Sequence, residues 1–274
     1  MKRRIDALIT ERGLAESREK AKRIVMAGLV FVDGERCEKP GTMVAEDSEI
    51  EVKGDDCPYV SRGGLKLEAA LDEFGIDVAG LVCLDIGSST GGFSDCLLQR
   101  GASKVYAVDS GSNQLSWKLR IDERVKVMEQ YNFRYAKAQD FEDKMGFACT
   151  DVSFISLKYI LLPAAQLLDS EADMVCLIKP QFEAGRHQVG RGGVVKDPAV
   201  HGEVIENVKA YAGEAGFSVI NLSFSPIEGA KKANIEYLMH VRKGNAEYIG
   251  PATEDIVRAA HAHFKETTES EFKD

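Results

Sequence analysis

The sequence predicts an α/β protein: a parallel β-sheet covered by helices on both faces, preceded by a small α+β module. Three observations carry that expectation. Beyond residue 80, short apolar runs alternate with helical stretches, the pattern of strands joined by crossover helices. One of these runs, Val82-Cys83-Leu84-Asp85-Ile86, passes directly into a glycine-rich turn that opens a helix. The first 53 residues differ in charge and pattern, and residues 53–64 after them hold polar turn formers, Pro58 and the pair Gly63-Gly64. The expected domains are residues 1–59, residues 60–245, and a C-terminal helix with a polar tail over 246–274.

In the front module, residues 4–11 and 17–26 read as two short helices. Ser17 suits the N-cap of the second, with Lys20 where a capping box would place Glu. Gly13 and Gly28 stand where the helices should stop. Leu29-Val30-Phe31-Val32, the turn signal Asp33-Gly34 and residues 49–52 give short β elements. Residues 1–30 hold eight Lys and Arg against four acids, a balance of +4 in a chain whose total is −9. Residues 31–53 reverse this, with three basic and seven acidic residues. Segregation of this kind fits one basic face that meets nucleic acid. A solvated helix surface would produce the same pattern.

In the larger region the strand candidates are 82–86, 105–109, 125–129, 147–152, 174–179, 217–225 and 235–241. Helical stretches cover 65–74, 93–100, 156–168 and 199–215. The last two strands have no helix between them, so they could form an antiparallel hairpin at one edge. Residues 254–264 read as an amphipathic helix followed by a polar, frayed end.

No apolar run approaches the ~18–20 residues of a membrane helix. The basic start Lys2-Arg3-Arg4 is not followed by an apolar signal core, so the chain is expected in the cytoplasm. Six cysteines, at 37, 57, 83, 96, 149 and 176, form no Cys-x-x-Cys pair, so no metal site and no disulfide framework is expected. Cys83, Cys149 and Cys176 lie in strand-like runs and read as inert core thiols.

The glycine turn carries the first chemical signal. Its spacing, Gly87-Ser88-Ser89-Thr90-Gly91-Gly92-Phe93, is not the Gly-x-Gly-x-x-Gly that seats a pyrophosphate. Asp85, two residues before it, would repel a pyrophosphate but suits a cationic ligand. Asp109 ends the next strand, 24 residues later, where an acid can accept both ribose hydroxyls of an adenosine. S-adenosylmethionine, an adenosine with an ammonium and a sulfonium, fits this set. The candidate cofactor residues are Asp85, Gly87, Ser88, Ser89, Thr90, Gly91, Gly92, Phe93 and Asp109, with Asp151 beside them.

Further stretches bring a family resemblance. They are Ser17-Arg18-x-x-Ala21, Gly28-x-Val30-x-Val32-Asp33-Gly34 and Lys39-Pro40-Gly41 in the front module. In the larger region they are Val60-Ser61-Arg62-Gly63-Gly64-x-Lys66-Leu67, 85–95, Asp151-Val152-Ser153-Phe154-Ile155-Ser156-Leu157, Lys179-Pro180-Gln181-Phe182-Glu183 and Asn234-Ile235-Glu236. Residues 60–242 resemble an FtsJ-type ribose 2′-O-methyltransferase domain with a Rossmann-like, seven-stranded sheet, and residues 1–53 resemble the S-four RNA-binding module. Their join resembles the TlyA family, whose members methylate the 2′-hydroxyl of cytidine in ribosomal RNA and are often labelled hemolysin. The broad methyltransferase loop prefers glycine where this chain has Ser89.

The resemblance implies a Lys-Asp-Lys-Glu tetrad at Lys66, Asp151, Lys179 and Glu236. Asp151 and Lys179 each end a strand, on the side where parallel sheets bind ligands. A ribose hydroxyl is a poor nucleophile that must lose its proton as it attacks. Lys179 is the candidate base, a role open to lysine only where burial or nearby positive charge makes its proton labile. Lys66 would supply that charge and steady the developing alkoxide. Asp151 would orient Lys179, and Glu236 would hold Lys66 or the ribose. Candidate RNA contacts are Arg3, Arg4, Arg18, Lys20, Lys22 and Arg23 on the front module, with Arg186, Arg191 and Lys196 on the glycine-rich loop 180–198. Ribosomal RNA or ribosomal subunits are the expected partners, with no membrane and no obligate protein partner. Two other classes stay open here: a non-catalytic RNA-binding or ribosome-assembly factor, and a membrane-active hemolysin. The first would need neither tetrad nor glycine loop, and the second would need an export signal or membrane-seeking helix.

Overall fold

A computed structural model describes residues 2–15, 17–26, 28–53, 57–229 and 234–271. It divides into two compact units, Met1–Pro58 and Tyr59–Asp274. Within the sequence-derived linker, residues 54–56 lie outside the described residues.

The first unit runs β1 (Lys2–Arg4), α1 (Ile5–Glu11), α2 (Arg18–Met26), β2 (Val30–Val32), β3 (Glu35–Cys37), β4 (Met43–Ala45) and β5 (Ile50–Val52). The Ser17 hydroxyl accepts a hydrogen bond from the Lys20 amide (3.1 Å), as its N-cap reading requires. Asp33 and Gly34 both take positive φ, 52° and 82°, and join antiparallel β2 and β3 in a tight turn. Strand β5 pairs with the other edge of β2, while β1 pairs with β4 in a separate ribbon. The three-residue strands β1, β3 and β4 are too short and polar for periodicity to reveal them. Ile5, Ile9, Ala21, Val25 and Val30 fill a small core with no exposed surface.

The second unit contains α3 (Gly63–Phe74), β6 (Val82–Ile86), α4 (Gly92–Gln99), β7 (Lys104–Val108), α5 (Trp117–Arg120), β8 (Val125–Met128), β9 (Met145–Thr150) and α6 (Lys158–Leu167). It continues with β10 (Leu168–Ile178), α7 (Pro180–Glu183), α8 (Pro198–Glu214), β11 (Phe217–Phe224), β12 (Tyr237–Lys243) and α9 (Thr253–Glu271). Seven strands form one sheet in the order β11-β12-β10-β9-β6-β7-β8. The five from β10 to β8 are mutually parallel, and β12 lies antiparallel between β10 and β11. The expected edge hairpin is therefore present, with β11 outermost. Strand β10 starts six residues earlier than its apolar run suggests. A register shift between Leu168 and Asp173, around the exposed residues 169–171, hides that first part from any periodic pattern.

The sheet interior is apolar on both faces. Tyr106, Phe147, Leu84 and Ile86 are almost fully buried, each worth roughly 1.5–3 kcal/mol of transfer free energy. Glycines let the first turns of α3 and α4 approach each other closely. A Cβ on Gly92 would stand 2.8 Å from the Gly64 amide nitrogen, and one on Gly64 would stand 2.3 Å from Cγ of Tyr59. Gly63-Gly64 is thus a packing device as well as a turn.

Because Tyr59 is buried and its Cβ lies close to the backbone, it cannot move aside for a new methyl group. Gly64→Ala should destabilise the larger unit by about 1–3 kcal/mol, read as a lower denaturation midpoint with an unchanged slope.

Candidate active site

Strand β6 has β7 on one side and β9 on the other, so successive connections leave it in opposite directions. Such a switch point opens a crevice beyond the C-terminal strand ends. Here a cleft of about 320 Å³ is lined by Gly87, Ser89, Asp109, Tyr131, Asp151 and Phe154, among others. Gly87 has φ 86°, and a Cβ there would lie 3.0 Å from the Asp151 carbonyl oxygen. Only glycine lets the two strand ends come this close. The amides of Gly87 and Ser88 both donate to the Val108 carbonyl (2.8 and 3.0 Å), binding the turn to β7.

Asp109 braces the loop from the other side. Its Oδ2 accepts from the Ser89 amide (2.8 Å) and its Oδ1 from the Gly111 amide (2.7 Å). Ser89 adopts φ 47°, the conformation glycine would take without strain, so the departure from the broad family loop keeps the backbone shape. Of the sequence-derived loop residues, Gly87, Ser89, Asp109 and Asp151 reach the cleft. Ser88, Gly91, Gly92 and Phe93 are buried, and Thr90 is exposed and uses its carbonyl to hold the Ser116 amide (3.1 Å).

Asp85 is fully buried beneath the turn and does not line the cleft wall. Its Oδ2 accepts from the Ser94 hydroxyl (2.6 Å), while Oδ1 has no hydrogen-bond partner among the described residues. Burial pushes its pKa up to about 7, the charges of Asp151 and Asp109 add to that, and the Ser94 hydrogen bonds oppose it. A buried carboxyl with an orphaned oxygen below the glycine turn fits a ligand that brings positive charge.

The tetrad residues come from four places in the chain. Asp151 follows β9, whose last residue Thr150 pairs with Ile86. Lys179 follows β10. Ile178 pairs with Tyr237 across the antiparallel β10–β12 ladder, so Lys179 and Glu236 stand at the next step of the same ladder. Lys66 comes from the first turns of α3. Two ion pairs result, Lys179 with Asp151 and Lys66 with Glu236. Lys66 is 7% exposed, Glu236 2% and Lys179 8%. Sequence reasoning left open whether Glu236 holds Lys66 or a ribose; here its carboxylate holds Lys66.

Ser153, unassigned by sequence reasoning, accepts a hydrogen bond from the Lys179 ammonium (3.1 Å). Its place two residues after Asp151 was the available signal. Phe154 was likewise quoted without a role. It is 90% exposed, takes φ 63° and packs against Phe182 with ring centroids 4.9 Å apart.

The loop 180–198 begins with the short helix α7. Its Gly185 amide donates to the Gln188 side chain (2.8 Å), which in turn donates to Glu203 (2.9 Å), while Arg186, Arg191 and Lys196 are exposed. In the first unit, the basic candidates are less free than charge counting implies. Arg4 donates twice to the buried Asp6 (3.0 and 2.8 Å), and Arg18 lies 3.5 Å from the same carboxylate. Hydrogen bonding from Arg4, against the cost of burial, holds Asp6 down to a pKa of about 2. Arg3 pairs with Glu11 (2.5 Å) and Glu46 (3.5 Å). Lys22 and Arg23 are exposed, and Lys20 is half-buried.

Comparison with known proteins agrees with this division. Residues 59–243 match the FtsJ-like methyltransferase family and residues 3–50 match the S4 domain. A candidate rRNA methyltransferase of Bacillus subtilis, YqxC, is 51% identical, covering 97% of this chain and 96% of that protein. The 16S/23S rRNA (cytidine-2′-O)-methyltransferase TlyA of Mycobacterium tuberculosis is 42% identical over 87% of this chain and 89% of its own. The solved structure of a candidate hemolysin from Streptococcus thermophilus superposes with a TM-score of 0.78 at 50% identity, covering 98% of both chains. Among the described residues, no helix is long and apolar enough to cross a membrane.

Asp85 sets a stability that depends on pH. Its folded pKa lies above the ordinary carboxylate value of ~3.9, so ionisation favours the unfolded chain as pH rises from about 4 to 7. Asp85→Asn removes that penalty. The ligand-free variant should gain stability over the parent by about 2 kcal/mol more at pH 8 than at pH 5, by denaturant titration. An equal difference at both pH values would sink the assignment.

Proposed function

The chain belongs to the FtsJ-like methyltransferase family, and from that premise we propose that it methylates the ribose 2′-hydroxyl of cytidine in ribosomal RNA, using S-adenosylmethionine. The observation that supports this most is that the Lys179–Asp151 pair reaches the glycine-turn cleft through Asp151, while the buried Lys66–Glu236 pair stands at the same end of the sheet. A protein that only bound RNA would need neither pair.

Gly87, Ser89 and Asp109 would hold the adenosine part of the cofactor, with the orphaned Asp85 oxygen nearby for its positive charge. When bound, S-adenosylmethionine supplies an electrophilic methyl group. Everything else falls to this chain's side chains. Lys179, fixed by Asp151 and Ser153, is aimed by two contacts and can point its Nζ at a ribose hydroxyl placed over the cleft. Once its own ammonium proton has passed to the Asp151 carboxylate, Nζ would take up the hydroxyl proton as the oxygen attacks. Lys66, fixed by Glu236, would lay its charge beside the developing alkoxide. The basic residues of the first unit and Arg186, Arg191 and Lys196 would contact RNA phosphates.

Mass mapping of rRNA incubated with the purified chain tests the reaction. A gained ribose methyl, resistant to alkaline cleavage, is the expected product. Lys179→Ala should lower single-turnover methylation more than ~100-fold with little change in cofactor affinity, and Lys179→Arg should not restore it, because guanidinium keeps its proton. Near-parental turnover in Lys179→Ala would end its assignment as base.

The first unit makes a separate contribution. Replacing Lys22 and Arg23 by Ala should weaken rRNA binding and reduce its dependence on salt, by about one unit of slope per lost phosphate contact. An unchanged slope in a filter-binding titration would remove these two from the RNA face.

A further inference from the structure

The loop beyond Lys179 and the segment carrying Glu236 are distant in sequence, yet two bridges join them. Asn234 is buried and donates through Nδ2 to the Gly193 carbonyl (3.2 Å). The second bridge runs through His201, in the first turn of α8, which is 0% exposed. Its Nε2 lies 2.9 Å from the Val195 carbonyl oxygen, and its Nδ1 lies 2.7 Å from the Tyr237 hydroxyl. A carbonyl oxygen only accepts, so Nε2 carries the proton. In the neutral ring Nδ1 is then an acceptor, and the Tyr237 hydroxyl donates to it. Tyr237 directly follows Glu236 and opens β12. Val195 lies near the end of the loop that leaves Lys179 and α7.

We propose that His201, as the neutral Nε2–H tautomer, is a positioning residue for methyl transfer: it keeps the 184–197 loop and the Glu236-bearing segment in one register. This rests on the reaction proposed above. Glu236 holds Lys66, and Lys179 and Glu236 flank Ile178 and Tyr237, the last pair of the β10–β12 ladder, so a slip between the two segments would separate the lysines. A core position needing only volume would be filled more cheaply by an aliphatic side chain. Imidazole is tolerable there because both of its nitrogens are partnered.

The bridge also has a pH limit. Burial lowers the affinity of His201 for a second proton; the Val195 carbonyl acts the other way, His261 adds to the lowering and Asp197 opposes it. The titratable groups bearing on the ring are Tyr237 on β12, Asp197 at the start of α8, and His261 on α9, whose ring lies 4.8 Å away. Protonation at Nδ1 would make it a donor, so the Tyr237 hydroxyl would have to turn its proton away and the bridge would carry a buried charge.

Tyr237→Phe in the full chain tests this, because it keeps the ring and removes only the donor. Single-turnover methylation should fall about 3- to 10-fold, with the KM for S-adenosylmethionine unchanged. The acid limb of the rate profile should move to higher pH, since neutral Nδ1 loses the hydrogen bond that favours it. Amide exchange over residues 184–197 should quicken. His201→Gln places a donor near the Val195 carbonyl and no acceptor near Tyr237, so it should recover slow loop exchange without recovering the rate. Parental rate, acid limb and loop exchange in Tyr237→Phe would overturn the proposal, as would lower stability with none of these changed. If the parent chain methylates no rRNA, the reaction proposed above fails, and loop exchange alone still decides whether the bridge holds the loop.

Discussion

A lysine ammonium buried at the rim of an apolar sheet has to bring a carboxylate with it, and that requirement ties the larger unit together. Removing one partner of a buried ion pair costs about 3–5 kcal/mol, because the other is left charged and dry. Lys66 and Glu236 are 170 residues apart, so their pairing joins α3, at the start of the unit, to the last strand. It also gives the edge hairpin a purpose. Only an antiparallel β12 beside β10 brings Glu236 to the sheet end where Lys179 emerges. A seventh strand added parallel would have left the glutamate at the wrong end.

Much of this was legible in the sequence, for a physical reason in each case. Buried parallel strands need continuous apolar runs, so β6, β7 and β9 stand out. A lysine closing such a run, as Lys179 does, is costly enough to signal a role. The glycine turn is legible because its backbone must pass within van der Waals reach of Asp151, which no side chain allows. What stayed hidden depends on partners that no local pattern encodes. The first residues of β10 are polar because the strand is bulged there. The interlock of Gly64 and Gly92 involves two helices whose approach is set by tertiary packing. His201 reads as an ordinary helix residue until Val195 and Tyr237 are placed on either side of it.

Charge reads differently in three dimensions than along the chain. Residues 1–30 are basic in sequence, yet Arg3, Arg4 and Arg18 each face a carboxylate. Asp6 is the centre of this arrangement, a fully buried acid kept ionised by guanidinium groups that remain about half exposed. Such arginines have a fixed geometry and a partly cancelled charge. A phosphate meeting them finds oriented donors at its own distance from a buried negative charge, so orientation is gained and raw attraction is lost. Further positive charge lies along α2, on Lys20, Lys22 and Arg23. This reconciles a module suited to RNA with a chain whose total charge is −9.

Strain collects where the ligand cleft is. Six described residues other than glycine have positive φ, and four of them, Ser89, Asn113, Gln130 and Phe154, line the cleft or directly precede a residue that does. Such conformations persist only where neighbours over-determine them. Glu129 supplies much of that determination. Its carboxylate accepts from the amides of Asn113, Gln114 and Leu115 (2.9, 3.0 and 3.2 Å) and from Arg120 (2.6 Å). Burial pushes its pKa up, but Arg120 and the three amides outweigh that and hold it at about 2. The loop is therefore fixed at any pH where the fold survives. Asp85 is the opposite case, a buried carboxyl left half satisfied, with its pKa pushed up to about 7. One acid fixes its loop through three backbone amides, while the other keeps one oxygen without a hydrogen bond among the described residues.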